Sequence, residues 1–150
     1  DDRKRINAVL VGLDAIRSKY HVALIVLAQL SRGVEQRTNK RPMLSDLKES
    51  GNLEQAADVV LFVYREEYYL EEAEPSKEAR DAKGHSLWDE WNIEMQRARG
   101  KIDIINGKNR HDKRITRQAA FLGKYYAIRD LTDASLFADD DNAPNLFDNP

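Results

Sequence analysis

Three short stretches carry the residue types that chemistry at a phosphate would need. Gln29 follows directly on the apolar run 22–28, and Arg32 stands just beyond it in Ala28-Gln-Leu-Ser-Arg32. In an open α/β sheet ligands bind at the carboxyl ends of strands, and a neutral amide placed there can hydrogen-bond a terminal phosphate and register its loss. The second stretch is Ser45-Asp-Leu-Lys-Glu-Ser-Gly51, preceded by the basic loop 32–41 with four Arg or Lys against one Glu. Lys48 can supply a charge to a nucleic-acid phosphate, while Gly51 permits close backbone approach and leaves amides free to donate. Ser45 or Ser50 capping a helix would explain part of the same pattern, and capping is compatible with a DNA contact. The third stretch is Gly107-Lys-Asn-Arg-His111, the start of a second basic cluster over 108–117 with five Lys or Arg against one Asp. Most such clusters are solvated loops when taken alone; two of them on one chain fit a polyanion partner.

The elements that must hold these residues follow from hydrophobic spacing. Ile6, Val9, Leu10, Leu13, Ile16 and Tyr20 recur at helical intervals and predict an amphipathic helix packed on a sheet. The uninterrupted apolar run 22–28 predicts a strand buried on both faces, as in a parallel sheet. A short helix over 53–57, capped by Ser50 or Asn52, leads through Asp58 into a second buried strand over 59–64. That alternation is the pattern of an α/β fold.

Residues 65–99 are strongly charged, with Pro75 and Gly84 as breaks, and read as an inserted excursion. Trp88, Trp91 and Met95 at helical spacing within it read as packing residues. Segments 102–105, 115–121 and 125–128 are β-rich and predict a closing antiparallel hairpin or meander, with the basic residues 106–114 at its tip.

Composition sets outer limits. At 150 residues, 41% of them apolar and 33% charged, the chain is one domain's worth of protein. It contains no cysteine, hence no disulfide and no thiolate metal site. No apolar run is long enough to span a bilayer and no signal-peptide pattern opens the chain, so the cytoplasm is the expected compartment. The net charge of −2 includes −5 from the five Asp of residues 131–150, which leaves +3 for residues 1–130. That terminal stretch reads as a disordered acidic tail. Leu136-Phe137 and Leu146-Phe147 are its only apolar pairs.

Taken together, the Ala-Gln-Leu-Ser-Arg and Lys-Glu-Ser-Gly segments and the Lys-x-Arg hairpin resemble the second half of the RecA-like motor domain of DnaB-type replicative hexameric helicases. The resemblance covers residues 1–130 and is most specific near 27–64. It implies a partial RecA-like P-loop NTPase fold, with a mostly parallel sheet and a terminal antiparallel hairpin. It implies roles as well: Gln29 as the phosphate sensor, with Arg32 beside it at the nucleotide, and Lys48, Glu49, Ser50 and Gly51 as the central-channel loop that tracks single-stranded DNA. Lys108 and Arg110 become the pair that reaches the neighbouring subunit's ATP, Arg110 as an arginine finger supplied in trans.

Two departures stand out. The family commonly has Arg where this chain has Lys48, which keeps the charge without the bidentate geometry. It typically continues with Gly-Pro and a Gly after His111, where this chain reads Asp112-Lys-Arg114.

No Gly-x-x-x-x-Gly-Lys-Ser/Thr loop and no strand ending in a Walker B Asp occurs in these residues, and His21, His85 and His111 are scattered. The resemblance therefore assigns the phosphate loop, the catalytic Glu and most ligands for ATP and Mg2+ to an upstream half, and makes the chain alone inactive. It also implies a hexameric ring of this protein, single-stranded DNA as substrate, and a primase and a helicase loader as partners. Two other readings remain open. A RecA-like recombinase or signalling ATPase shares the sheet and the Gln, though not the Lys-Glu-Ser-Gly loop or the Lys-x-Arg hairpin. A non-catalytic nucleic-acid-binding module accounts for the missing ATP-binding apparatus.

Overall fold

The computed structural model describes residues 2–132, with side chains from 4 to 47 and from 53 to 132. The acidic tail from 133 onward, with its two apolar pairs, lies outside the described residues. The chain divides into two compact units, Asp1–Phe62 with Ile105–Ile115, and Val63–Ile104 with the chain from Thr116 on.

In the first unit, helix α1 spans Asp2–Tyr20. Of its apolar stripe, Ile6, Leu10 and Leu13 are half-buried while Val9, Ile16 and Tyr20 are exposed. The following run 22–28 departs from expectation. It forms no strand and is not buried: Ile25 is 93% exposed and Leu27 94%. A strand exists only by pairing, and among the described residues no neighbour lies beside this run to complete a ladder.

A 3-10 turn at Arg32–Gln36, capped by the Ser31 hydroxyl accepting from Gly33 N–H, follows. A second 3-10 helix at Leu44–Ser50 runs directly into helix α2 at Gly51–Ala56. Strand β1, Val59–Tyr64, has the bounds its sequence predicts. It is not buried on both faces, however. Phe62 and Tyr64 point into the core, while Val59, Leu61 and Val63 on the alternate face are exposed. Val34, Leu47 and Phe62 are buried in this unit.

In the second unit, α3 spans Glu66–Glu72 and α4 spans Leu87–Ala98. The Ser86 hydroxyl caps α4 by accepting from Asp89 N–H, and Gly100 at φ 66° ends it in the left-handed conformation that glycine adopts without strain. The Trp91 indole donates to the Leu70 carbonyl at 2.8 Å and tilts against Trp88, so these aromatics pack one helix on the other. Tyr64 stacks on Tyr69, and the Arg65 guanidinium lies 4.2 Å from the centre of the Phe121 ring. Ala98, Ile102, Ala119 and Ala120 are buried here.

Strands β2 (Lys101–Asn109), β3 (Thr116–Leu122) and β4 (Ala127–Arg129) complete a four-stranded sheet in the order β1-β2-β3-β4. β3 and β4 are antiparallel, with Phe121 opposite Ile128. The sheet is antiparallel and not mostly parallel as the α/β alternation suggested. Links such as 110–115 and 123–126 are too short for the crossover that a parallel pair requires, and the run 22–28 that was to supply a parallel strand takes no part in it.

Candidate nucleotide and DNA interface

The site residues lie in the first unit, and α2 gathers Lys108 and Arg110. The last carbonyls of a helix have no partner within the helix and attract cations, and here they are those of Glu54 and Gln55. Two cations arrive from the tip of β2. Lys108 Nζ donates to the Glu54 carbonyl at 2.6 Å and to the Gln55 carbonyl at 3.4 Å. Arg110 Nη2 donates to the Gln55 carbonyl at 3.0 Å, while its Nη1 meets Asp58 Oδ1 at 2.6 Å. The backbone repeats the attachment, because Arg110 N–H donates to the Asp58 carbonyl at 2.9 Å. The Asp58 and Arg110 side chains both remain half exposed.

Gly107 lets β2 approach closely enough for this docking. A methyl group there would collide with the Phe62 ring. The turn that follows is held by its own polar groups: Arg114 donates to the Gly107 carbonyl, and Asn109 Oδ1 accepts from His111 N–H. The altered Asp112-Lys-Arg114 sequence is thus accommodated, with Asp112 Oδ1 accepting from Lys113 N–H.

At the other end of α2 stands the Lys-Glu-Ser-Gly segment. Its backbone closes the 3-10 helix and opens α2; the side chains of Lys48, Glu49, Ser50 and Gly51 lie outside the described residues. Upstream, the basic loop is fastened by Asp46. This buried carboxylate accepts from Arg37 Nη2 at 2.9 Å and from Met43 N–H at 2.8 Å, and its backbone carbonyl accepts from Ser31 N–H at 2.9 Å. Arg37 also donates to the Arg41 carbonyl, and Lys40 to the Glu35 carbonyl. The bond from Ser31 ties the residues just after Gln29 to the 3-10 helix that carries Lys48.

Gln29 and Arg32 are themselves exposed. Among the described residues the Lys108 and Arg110 cluster does not include them. Sequence reasoning missed Asp58, Asp46 and Arg37. Asp58 reads as a lead-in to a strand, and its only signal is a carboxylate a short way beyond the Lys-Glu-Ser-Gly turn. No described group of three or more His, Cys, Asp or Glu could hold a metal ion. No described helix is long and apolar enough to cross a membrane.

Comparison with known proteins places the chain in a family. The model for the DnaB-like helicase C terminal domain matches residues 1–130. The replicative DNA helicase DnaB of Rickettsia bellii (strain RML369-C) is 49% identical over 105 residues, which are 70% of this chain and 21% of that protein. The replicative DNA helicase DnaC of Bacillus subtilis (strain 168) is 49% identical over 75 residues, 49% of this chain and 16% of that protein.

Among solved structures, one ATPase domain has a TM-score of 0.66 at 33% identity, covering 87% of this chain and 38% of that one. A DnaB-like replicative helicase, from a study of its interactions with primase, has a TM-score of 0.65 at 34% identity, over 87% of this chain and 26% of that one. The chain spans about one fifth of the length of the Rickettsia relative. With an α/β framework like these solved structures and a family match from its first residue to 130, this chain belongs to the DnaB-like helicase C terminal domain family.

Proposed function

We propose that this chain is the carboxyl-terminal part of the motor of a ring-forming, ATP-dependent replicative DNA helicase. Its Lys48 to Gly51 segment contacts single-stranded DNA, Gln29 and Arg32 address the nucleotide of the same subunit, and Lys108 and Arg110 address that of the neighbour. The single observation that carries this reading is the seating of both Lys108 and Arg110 at one end of α2, the helix whose other end grows out of the DNA segment. A short rigid helix between a DNA contact and a pair of phosphate-binding cations suits a machine that couples strand movement to hydrolysis.

Each residue has a distinct job. Arg110 has five N–H donors on a planar fork, and the two bonds to Asp58 and Gln55 leave others to meet charge developing on a transferring phosphoryl group. Lys108 supplies a second positive charge beside it, and the Gln29 amide can donate to a terminal phosphate. Magnesium bound with ATP would neutralise phosphate charge, and its ligands fall to other parts of the complete protein. Primase and a helicase loader belong to the same proposal, by analogy with relatives of this kind.

The test uses the complete protein. Single-stranded DNA should stimulate ATP hydrolysis, and duplex of equal length should not. Lys48→Ala should weaken single-strand binding evenly across sequences and lower the slope of log affinity against log salt by about 0.7, the loss of one phosphate contact. An unchanged slope and an unchanged affinity would show that the segment serves only as a helix start.

A further inference from the structure

We propose that Asp58 is a positioning residue for ATP hydrolysis in the neighbouring subunit, holding the Arg110 guanidinium so that α2 determines where it is presented. This rests on the reading of Arg110 as a finger acting in trans.

Asp58 grips Arg110 twice, through its carboxylate at 2.6 Å and through its carbonyl at 2.9 Å, and Gln55 takes the other arm of the fork at 3.0 Å. The partners are distant in sequence, so this contact is built by the fold and is not a local turn. A half-exposed ion pair contributes little to folding, and stability alone is a poor reason for a double grip. Positioning accounts for it better. An arginine side chain is long and has many rotamers, and a group that must meet a transition state in another subunit works best when its orientation is set beforehand.

The grip also has a lever. Gln55 lies in α2, and Asp58 follows two residues after its end. A displacement of the Lys48 to Gly51 segment by DNA would pass along that helix to both residues, and through them to Arg110.

A double-mutant cycle in the complete ring-forming protein tests the proposal, with steady-state ATP hydrolysis measured with and without single-stranded DNA. Asp58→Asn should keep the KM for ATP nearly unchanged and lower kcat in the presence of DNA by about 10²-fold, the scale of an ångström's misplacement of a catalytic group. Asp58→Glu, which keeps the charge, should recover part of that loss. In an Arg110→Ala background Asp58→Asn should cost nothing more, because it acts through Arg110.

An undiminished kcat in Asp58→Asn overturns the proposal, as does an equal further loss in the Arg110→Ala background. If Asp58→Asn fails to assemble, the cycle is run with Asp58→Ser, where a wild-type kcat is the overturning result. An Arg110→Ala protein with full activity would refute the finger itself, a failure visible before Asp58 is considered.

Discussion

Arg37 and Asp46 form an ion pair at 2.9 Å in which the carboxylate is buried and the guanidinium only partly so. The asymmetry predicts which change hurts. Arg37→Ala strands a buried carboxylate with Met43 N–H as its remaining partner, and should lower stability by about 1.5–3 kcal/mol. Replacing both residues by Ala should be no worse than Arg37→Ala, since the stranded charge is gone. Denaturant melts of the complete protein and its variants check this, and strictly additive losses would contradict it.

Arg110 is expected to act on its neighbour's ATP. Arg110→Ala should leave fold and DNA binding largely intact and cut hydrolysis by about 10³-fold or more, the scale of a lost arginine finger. Mixing distinguishes trans from cis. Rings combining Arg110→Ala subunits with subunits disabled in the phosphate loop should regain hydrolysis at interfaces where an intact finger faces an intact loop. Mixed rings that form yet recover nothing would place Arg110 within its own subunit.

Gly107 predicts a steric effect at the base of the hairpin. A methyl there meets the Phe62 ring, itself in the core, so Gly107→Ala should cost about 1–3 kcal/mol through overpacking. Trimming the ring with Phe62→Leu should make the double variant more stable than Gly107→Ala alone. Thermal unfolding would show this, and a double variant that simply adds two losses would refute the collision.

Asp81 predicts an acid transition outside the site. Its carboxylate is held below the ordinary value, chiefly by the His85 backbone N–H, with help from the His85 ring and the N–H groups of Lys83 and Gly84, against an opposing effect of desolvation. A folded value below the unfolded one, about 3.9, means that these bonds stabilise the 81–85 turn fully above that pH. The contribution is lost as pH falls through the lowered value. Carboxyl-labelled NMR titration of the complete protein should show Asp81 protonating below ordinary aspartates; titration at or above them would sink the idea.

Much of the local structure was legible because local rules govern it. Strand β1 has the bounds its apolar run predicts, and the helical spacing of Trp88, Trp91 and Met95 falls within α4. What spacing could not convey was pairing. The run 22–28 has the composition of a buried strand, but composition does not state which neighbour covers it. In the same way Lys108 and Arg110 announce themselves as basic residues at a hairpin tip, whereas Asp58, more than fifty positions before Arg110, is bound to that arginine only by the fold. The Lys-x-Arg pair was visible and the surface that holds it was not.

Exposure of the 22–28 run bears on how the chain behaves by itself. It contains no charge, no proline and no glycine, and Ile25 and Leu27 are almost entirely open to solvent. An apolar, β-prone segment of that kind is a template for intermolecular strand addition, the seed from which aggregates grow. Chain copies made by themselves should therefore precipitate through this segment before any other. A single gatekeeper charge such as Ile25→Lys should keep them in solution.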